Sequence, residues 1–173
     1  MKLYKFKAEH ISRLISIKQQ FSDNQRIQEI IDNHLIPKLQ HLRAMDLSDY
    51  IFTLYLASRE FSVFEELIPT EQEVDALIEN KNKLYYFKAK YLARLMRLRR
   101  ELKQKYPDKK DRIETIVFEI ASLLHLLRRD GLTTYLFNVT MVCKEYPEFC
   151  TLVPSLVPSD DEIKKIFVVP KEE

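Results

Sequence analysis

The chain has one glycine, Gly131, in 173 residues, and no tryptophan. Phosphate-binding loops, dinucleotide-binding turns and tight hairpins use glycine for positive φ or close backbone approach. Its scarcity argues against P-loop and dinucleotide-binding enzymes and against most all-β folds. No leader pattern and no apolar run of membrane length is visible, so no membrane partner is expected. Cysteine is scarce as well, with only Cys143 and Cys150. Their spacing is not C-x-x-C and no histidine lies nearby, so buried thiols in a reducing, cytoplasmic setting are the simple reading. A Cys143–Cys150 bridge would instead fit a hot-environment organism. The Asn138-Val139-Thr140 sequon is then coincidental.

Catalytic patterns are missing too. There is no Gly-x-Ser-x-Gly and no His-Glu-x-x-His segment. Four histidines are scattered at His10, His34, His41 and His125. His34 and His41 stand seven apart across Pro37, unlike the i, i+4 spacing of helical metal ligands. His125, among leucines, reads as a half-buried structural residue. The chain is therefore expected to be no enzyme and to carry no cofactor and no metal.

What is present is apolar periodicity and segregated charge. A chain of this length forms one moderate domain that buries about two-thirds of its unfolded surface. The start, 1–7, alternates and could be extended, and a first helix follows through Ile11, Leu14 and Ile15. Ser22 with Gln25 reads as a capping box for a second helix through Ile27, Ile30, Ile31, Leu35 and Leu39, which Pro37 should kink or split. Ser48 or Asp49 caps a third, apolar on most faces, and Thr70 with Glu73 opens a fourth. That helix could reach about Lys105, with Asn80–Asn82 its weakest point. A fifth begins at Asp111 and ends with Gly131 at its C′ position. Residues 133–145 are rich in β-branched side chains and only moderately favour helix.

After Pro147, the repeat Leu152-Val153-Pro154-Ser155, Leu156-Val157-Pro158-Ser159 predicts an extended linker. Ser159 with Glu162 then opens a short helix. The expected fold is all-α: an irregular bundle of about five to six helices over 1–146, with a proline-containing C-terminal extension over 147–173.

Net charge is only +2, yet residues 81–112 hold thirteen Lys/Arg against three Asp/Glu. From Asp46 to Glu79 there are nine acids and one base, Arg59. At about 100° per residue, Leu84, Tyr91, Leu95, Leu98 and Leu102 share one helix face. Lys83, Lys90, Arg94 and Arg97 line the opposite side, with Arg100 at its edge. Such a stripe suits a phosphate track, with Tyr85, Tyr86 or Phe87 available to stack on bases if exposed. The same stripe could equally pair with the acidic segment inside the chain, or with an acidic partner. Phe167, Val168 and Val169 form a candidate docking tail for a protein partner.

The stretch Tyr91-Leu92-Ala93-Arg94-Leu95-Met96-Arg97-Leu98-Arg99-Arg100, preceded by Leu67-Ile68-Pro69, resembles the helical domain of GINS subunits. The resemblance implies a non-catalytic scaffold that joins the replicative helicase in DNA replication. The small β domain that many members carry after the helices is not evident here. Arg129-Asp130-Gly131-Leu132 is similar to a turn in small helical subunits of CRISPR effector complexes, which line a nucleic-acid channel, although few residues follow it. Both resemblances imply an accessory subunit of a nucleic-acid machine, of replication or defence type. The rival expectation is an adaptor that binds only proteins, and a homo-oligomer is compatible with either.

Overall fold

A computed structural model describes residues 2–167, without the side chains of Cys143 and Val153. The described residues contain helices and turns and no strand, as the periodicity predicts. Helix α1 spans Lys2–Gln20 and starts earlier than expected. Phe6, His10, Leu14 and Ile17 recur every three to four residues on its buried face, whereas Tyr4, which completes the apparent alternation, is 71% exposed. Helical burial therefore overrides the period-two pattern of 1–7.

Helix α2 (Gln25–Ile30) is capped by Asn24, whose side chain accepts from the Ile27 N–H at 3.0 Å, rather than by Ser22. A π turn, Ile31–Leu35, leads directly into α3 (Ile36–Gln40). Pro37 has no N–H and its ring would crowd the carbonyl four residues back. The wider π turn absorbs that demand, with Ile36 N–H donating to Ile31 O, so the helical path continues past the proline. Ile27, Ile30, Ile31, Leu35 and Leu39 are all buried, as their spacing predicts.

Helix α4 (Leu47–Glu60) follows a 3-10 turn whose Asp46 carboxylate accepts from Arg43 N–H at 3.3 Å; the cap is Asp46, not Ser48 or Asp49. Thr70 and Glu73 form the expected reciprocal cap of α5 (Glu71–Leu77). The chain breaks around Asn80–Asn82 before α6 (Leu84–Lys105). Helices α4, α6 and α7 (Lys110–His125) form the centre. Helix α6 buries Phe87, Ala89, Tyr91, Leu92, Leu95, Met96, Leu98, Arg99 and Leu102, so most of its circumference is covered.

Gly131 does not close α7. It has φ −94° and stands at the N-cap of α8 (Leu132–Glu145), which corrects the C′ expectation. An added Cβ would meet only Leu127 Cδ1, at 3.9 Å. Chain stiffening and the N-cap preference for glycine act in opposite directions here. Gly131→Ala should therefore shift stability by no more than about 1 kcal/mol, read from the urea midpoint at constant slope.

The extended linker expected over 152–159 is also corrected, because Leu152–Leu156 forms a helical turn, α9. Pro154 lies in its first turn, where N–H groups have no intrahelical acceptor to lose. Burial of Leu152 and Leu156 holds the turn against the core. The Ser159/Glu162 capping box opens α10 (Asp160–Ile166). Phe149, Leu152, Leu156 and Ile166 all join the hydrophobic core formed by the preceding helices. No helix among the described residues is long and apolar enough to cross a membrane.

Candidate nucleic-acid interface

Helices α5 and α6 enclose a groove of about 350 Å³ that gathers Lys90, Arg94, Arg97 and Arg100, four of the five cations singled out by the sequence. Their spacing along α6 places them on one side, and the capped start of α5 supplies the opposite wall through Thr70, Glu71 and Asp75. Lys83 is not among the lining residues; it occupies the N-cap position of α6.

The acids of α5 already engage this stripe. Glu71 accepts from Arg94 Nε at 2.8 Å and from Arg97 Nη2 at 3.3 Å. Asp75 accepts from Lys90 Nζ at 3.4 Å and from the Tyr86 hydroxyl. Arg97 also donates to Glu101 at 3.1 Å. Burial alone would lower the Arg94 pKa, but Glu71 and Tyr91 outweigh it and hold the guanidinium above its ordinary value. Four cations face two carboxylates across the groove, with Arg97 and Arg100 exposed at its mouth.

Arg94 is more than a surface charge. Its guanidinium lies 4.4 Å from the Tyr91 ring centroid and donates to Ser155 O at 2.9 Å, joining α5, α6 and α9. Replacing it would disturb packing as well as charge, so Arg97 and Arg100 are the informative positions. The aromatic side chains are less available than expected. Phe87 is buried against Tyr91 and Tyr135, and Tyr86 is held by Asp75. The acids of α4 are engaged within the chain, Asp49 with Lys38 and Glu60 with Arg26.

The other candidate groups have structural places. His10 shares a 3.0 Å hydrogen bond with the Tyr50 hydroxyl in the core. His125 stacks on Phe52 with ring centroids 4.1 Å apart, and its pKa is lowered, first by burial, against the opposing pull of Asp49. No group of three potential metal ligands occurs among the described residues. Cys150 is disulfide-bonded, which corrects the buried thiol expected there. Of the candidate tail, Phe167 is half exposed, while Val168 and Val169 lie outside the described residues. The preceding α10 is anchored by buried Ile166 and by Tyr91, whose hydroxyl donates to Glu162 at 3.0 Å.

Sequence reasoning missed Arg99. It is 2% exposed and donates to Glu114 through Nε at 2.6 Å and Nη2 at 3.1 Å. Its Nη1 donates to Ser58 Oγ at 2.9 Å. The signal was present: on a 100° wheel Arg99 falls in the middle of the arc defined by Leu92, Leu95 and Leu102.

The fold and the groove thus define, over the described residues, an all-α chain with a charge-lined cleft between α5 and α6. Comparison with models of protein families, with curated proteins and with solved structures gives no match.

Proposed function

We propose that the chain is a non-catalytic helical subunit of a nucleic-acid-processing assembly, meeting a phosphate backbone at the α5–α6 groove. The observation that carries this reading is the convergence of Lys90, Arg94, Arg97 and Arg100 on one groove, where Glu71, Asp75 and the Arg97 partner Glu101 leave positive charge in excess. Surplus positive charge in a concave site attracts phosphates and releases their counterions. The segment that resembles GINS subunits is the same stretch of α6, consistent with a scaffold in replication or defence. The structural roles of His10 and His125 support a non-catalytic part. An intracellular setting belongs to this proposal, and the Cys150 disulfide then implies the disulfide-tolerant interior of a hyperthermophile.

A second reading has its own observation. Glu71, Asp75 and Glu101 already pair with three of the four cations, Lys90, Arg94 and Arg97, which suits an adaptor that binds only proteins. Fluorescence anisotropy with labelled single- and double-stranded DNA and RNA at low and moderate salt separates the two. The nucleic-acid reading expects a logarithmic salt slope of about −0.7 to −0.9 per phosphate contacted. It also expects loss of binding in folded Arg97→Glu/Arg100→Glu, and tighter binding in Glu71→Gln. No binding at low salt, in the wild type and in Glu71→Gln, would leave the adaptor.

A further inference from the structure

Among the described residues two largely exposed apolar surfaces stand out, and they are complementary in charge. The first is a ridge on α1. Tyr4, Ala8, Ile11 and Ile15 are spaced four, three and four residues apart, which places them within about 60° on the helix. That is the spacing of a helix–helix seam. The ridge faces away from the buried Phe6, His10, Leu14 and Ile17; Tyr4 is 71% and Ile15 45% exposed, and Ile11 is half-buried. Helix α1 carries five cations against the single carboxylate of Glu9; Lys7 lies beside the ridge, whereas Lys18 is paired with Asp32 at 2.6 Å.

The second surface is a groove of about 490 Å³ between the end of α7 and the start of α8. Leu123, Leu126 and Leu127 form its floor and lip, and Leu126 is 74% exposed. Its rim carries two carboxylates, Glu119 and Asp130, against one guanidinium, Arg128. A leucine this exposed beside an open apolar groove is costly in water and gains when covered.

We propose that the α1 ridge of one copy seats in the α7–α8 groove of a second copy, so that the chain associates head to tail. The charge pattern selects this pairing. Ridge against ridge would bring two basic helices together, and groove against groove would leave two concave surfaces unfilled. Ridge into groove sets the basic helix beside carboxylates and fills the groove with isoleucine and tyrosine. Such an interface is heterologous: each copy keeps one free ridge or groove, so the assembly grows as an open row or closes into a ring. It does not depend on what the α5–α6 groove binds.

The test uses the full chain and two exposed positions. Sedimentation equilibrium over a wide concentration range should show mass increasing beyond a dimer. Ile15→Glu removes the ridge and Leu126→Glu removes the groove. Each variant alone should weaken association at least about tenfold, equivalent to 1.4 kcal/mol. Circular dichroism and unchanged melting would confirm that both variants fold. Mixed one to one, they should form a dimer and nothing larger, because one retains an intact groove and the other an intact ridge. A monomeric wild type at all concentrations would overturn the proposal. So would two folded variants that fail to complement each other, which is the result a symmetric interface gives.

Discussion

Glu114→Gln is expected to cost about 3–5 kcal/mol of folding stability. Glu114 accepts both guanidinium bonds of the buried Arg99 and also meets Lys103 Nζ at 2.7 Å, with Arg59 at 3.9 Å. Arg99 is sealed by Ser58 and by the Tyr55 ring, 5.1 Å from its guanidinium carbon. The Tyr55 hydroxyl is itself buried without a hydrogen-bond partner among the described residues. Removing the carboxylate charge leaves Arg99 buried and uncompensated, which costs more than the pair contributes over two apolar residues.

Arg99→Met together with Glu114→Leu should therefore recover much of the loss. Urea denaturation of the two variants checks both outcomes; equal loss in the single and double variants would sink the argument. The pair also carries a pH signature. Burial would raise the Glu114 pKa, but hydrogen bonds and charge from Arg99 and Lys103 outweigh it and hold the carboxyl below its ordinary value. Its contribution is fully present above the unfolded value of about 4.3 and is lost as pH falls through the lowered folded value.

Acidification acts earlier through His10. Burial, and secondarily the charge of Arg13, lowers its pKa from 6.5 to about 4. The ring lies 4.0 Å from the Phe6 centroid and bonds Tyr50, so the folded chain holds it neutral. A histidine with a lowered folded pKa favours the native state when unprotonated. Stability is then complete above the unfolded value and falls as pH drops from about 6.5 toward 4. A shift of this size corresponds to about 3 kcal/mol across that window. Denaturant midpoints at pH 7.5, 5.5 and 4 should show the fall in the wild type and a much flatter profile in His10→Gln. A profile of the same steepness in both proteins would assign the acid response elsewhere. The His10 and Glu114 windows barely overlap, so one titration series resolves them.

Much of the architecture was legible because helix signals are local. The Thr70/Glu73 and Ser159/Glu162 boxes, the weak point at Asn80–Asn82, and the apolar faces of α6 and α7 each depend on residues within a turn or two of one another. The misreadings arose where a local rule met a packing demand from elsewhere. Proline reads as a breaker, yet Pro37 is carried through by a π turn and Pro154 sits harmlessly in a first turn. Gly131 reads as a left-handed stop, yet the following helix uses it with negative φ.

Charge divides in the same way. Sequence determined that α6 carries a cationic stripe, because helical periodicity alone sorts Lys90, Arg94, Arg97 and Arg100 onto one side. Only the tertiary structure decided what faces that stripe. Which carboxylates approach it depends on how α5 folds back over α6, a contact between residues 15 to 26 positions apart. The same holds for Arg99, whose place in the apolar arc was visible but whose partner came from another helix. Local periodicity assigns a residue to a side of its helix; the partner that neutralises a charge there is chosen by long-range packing.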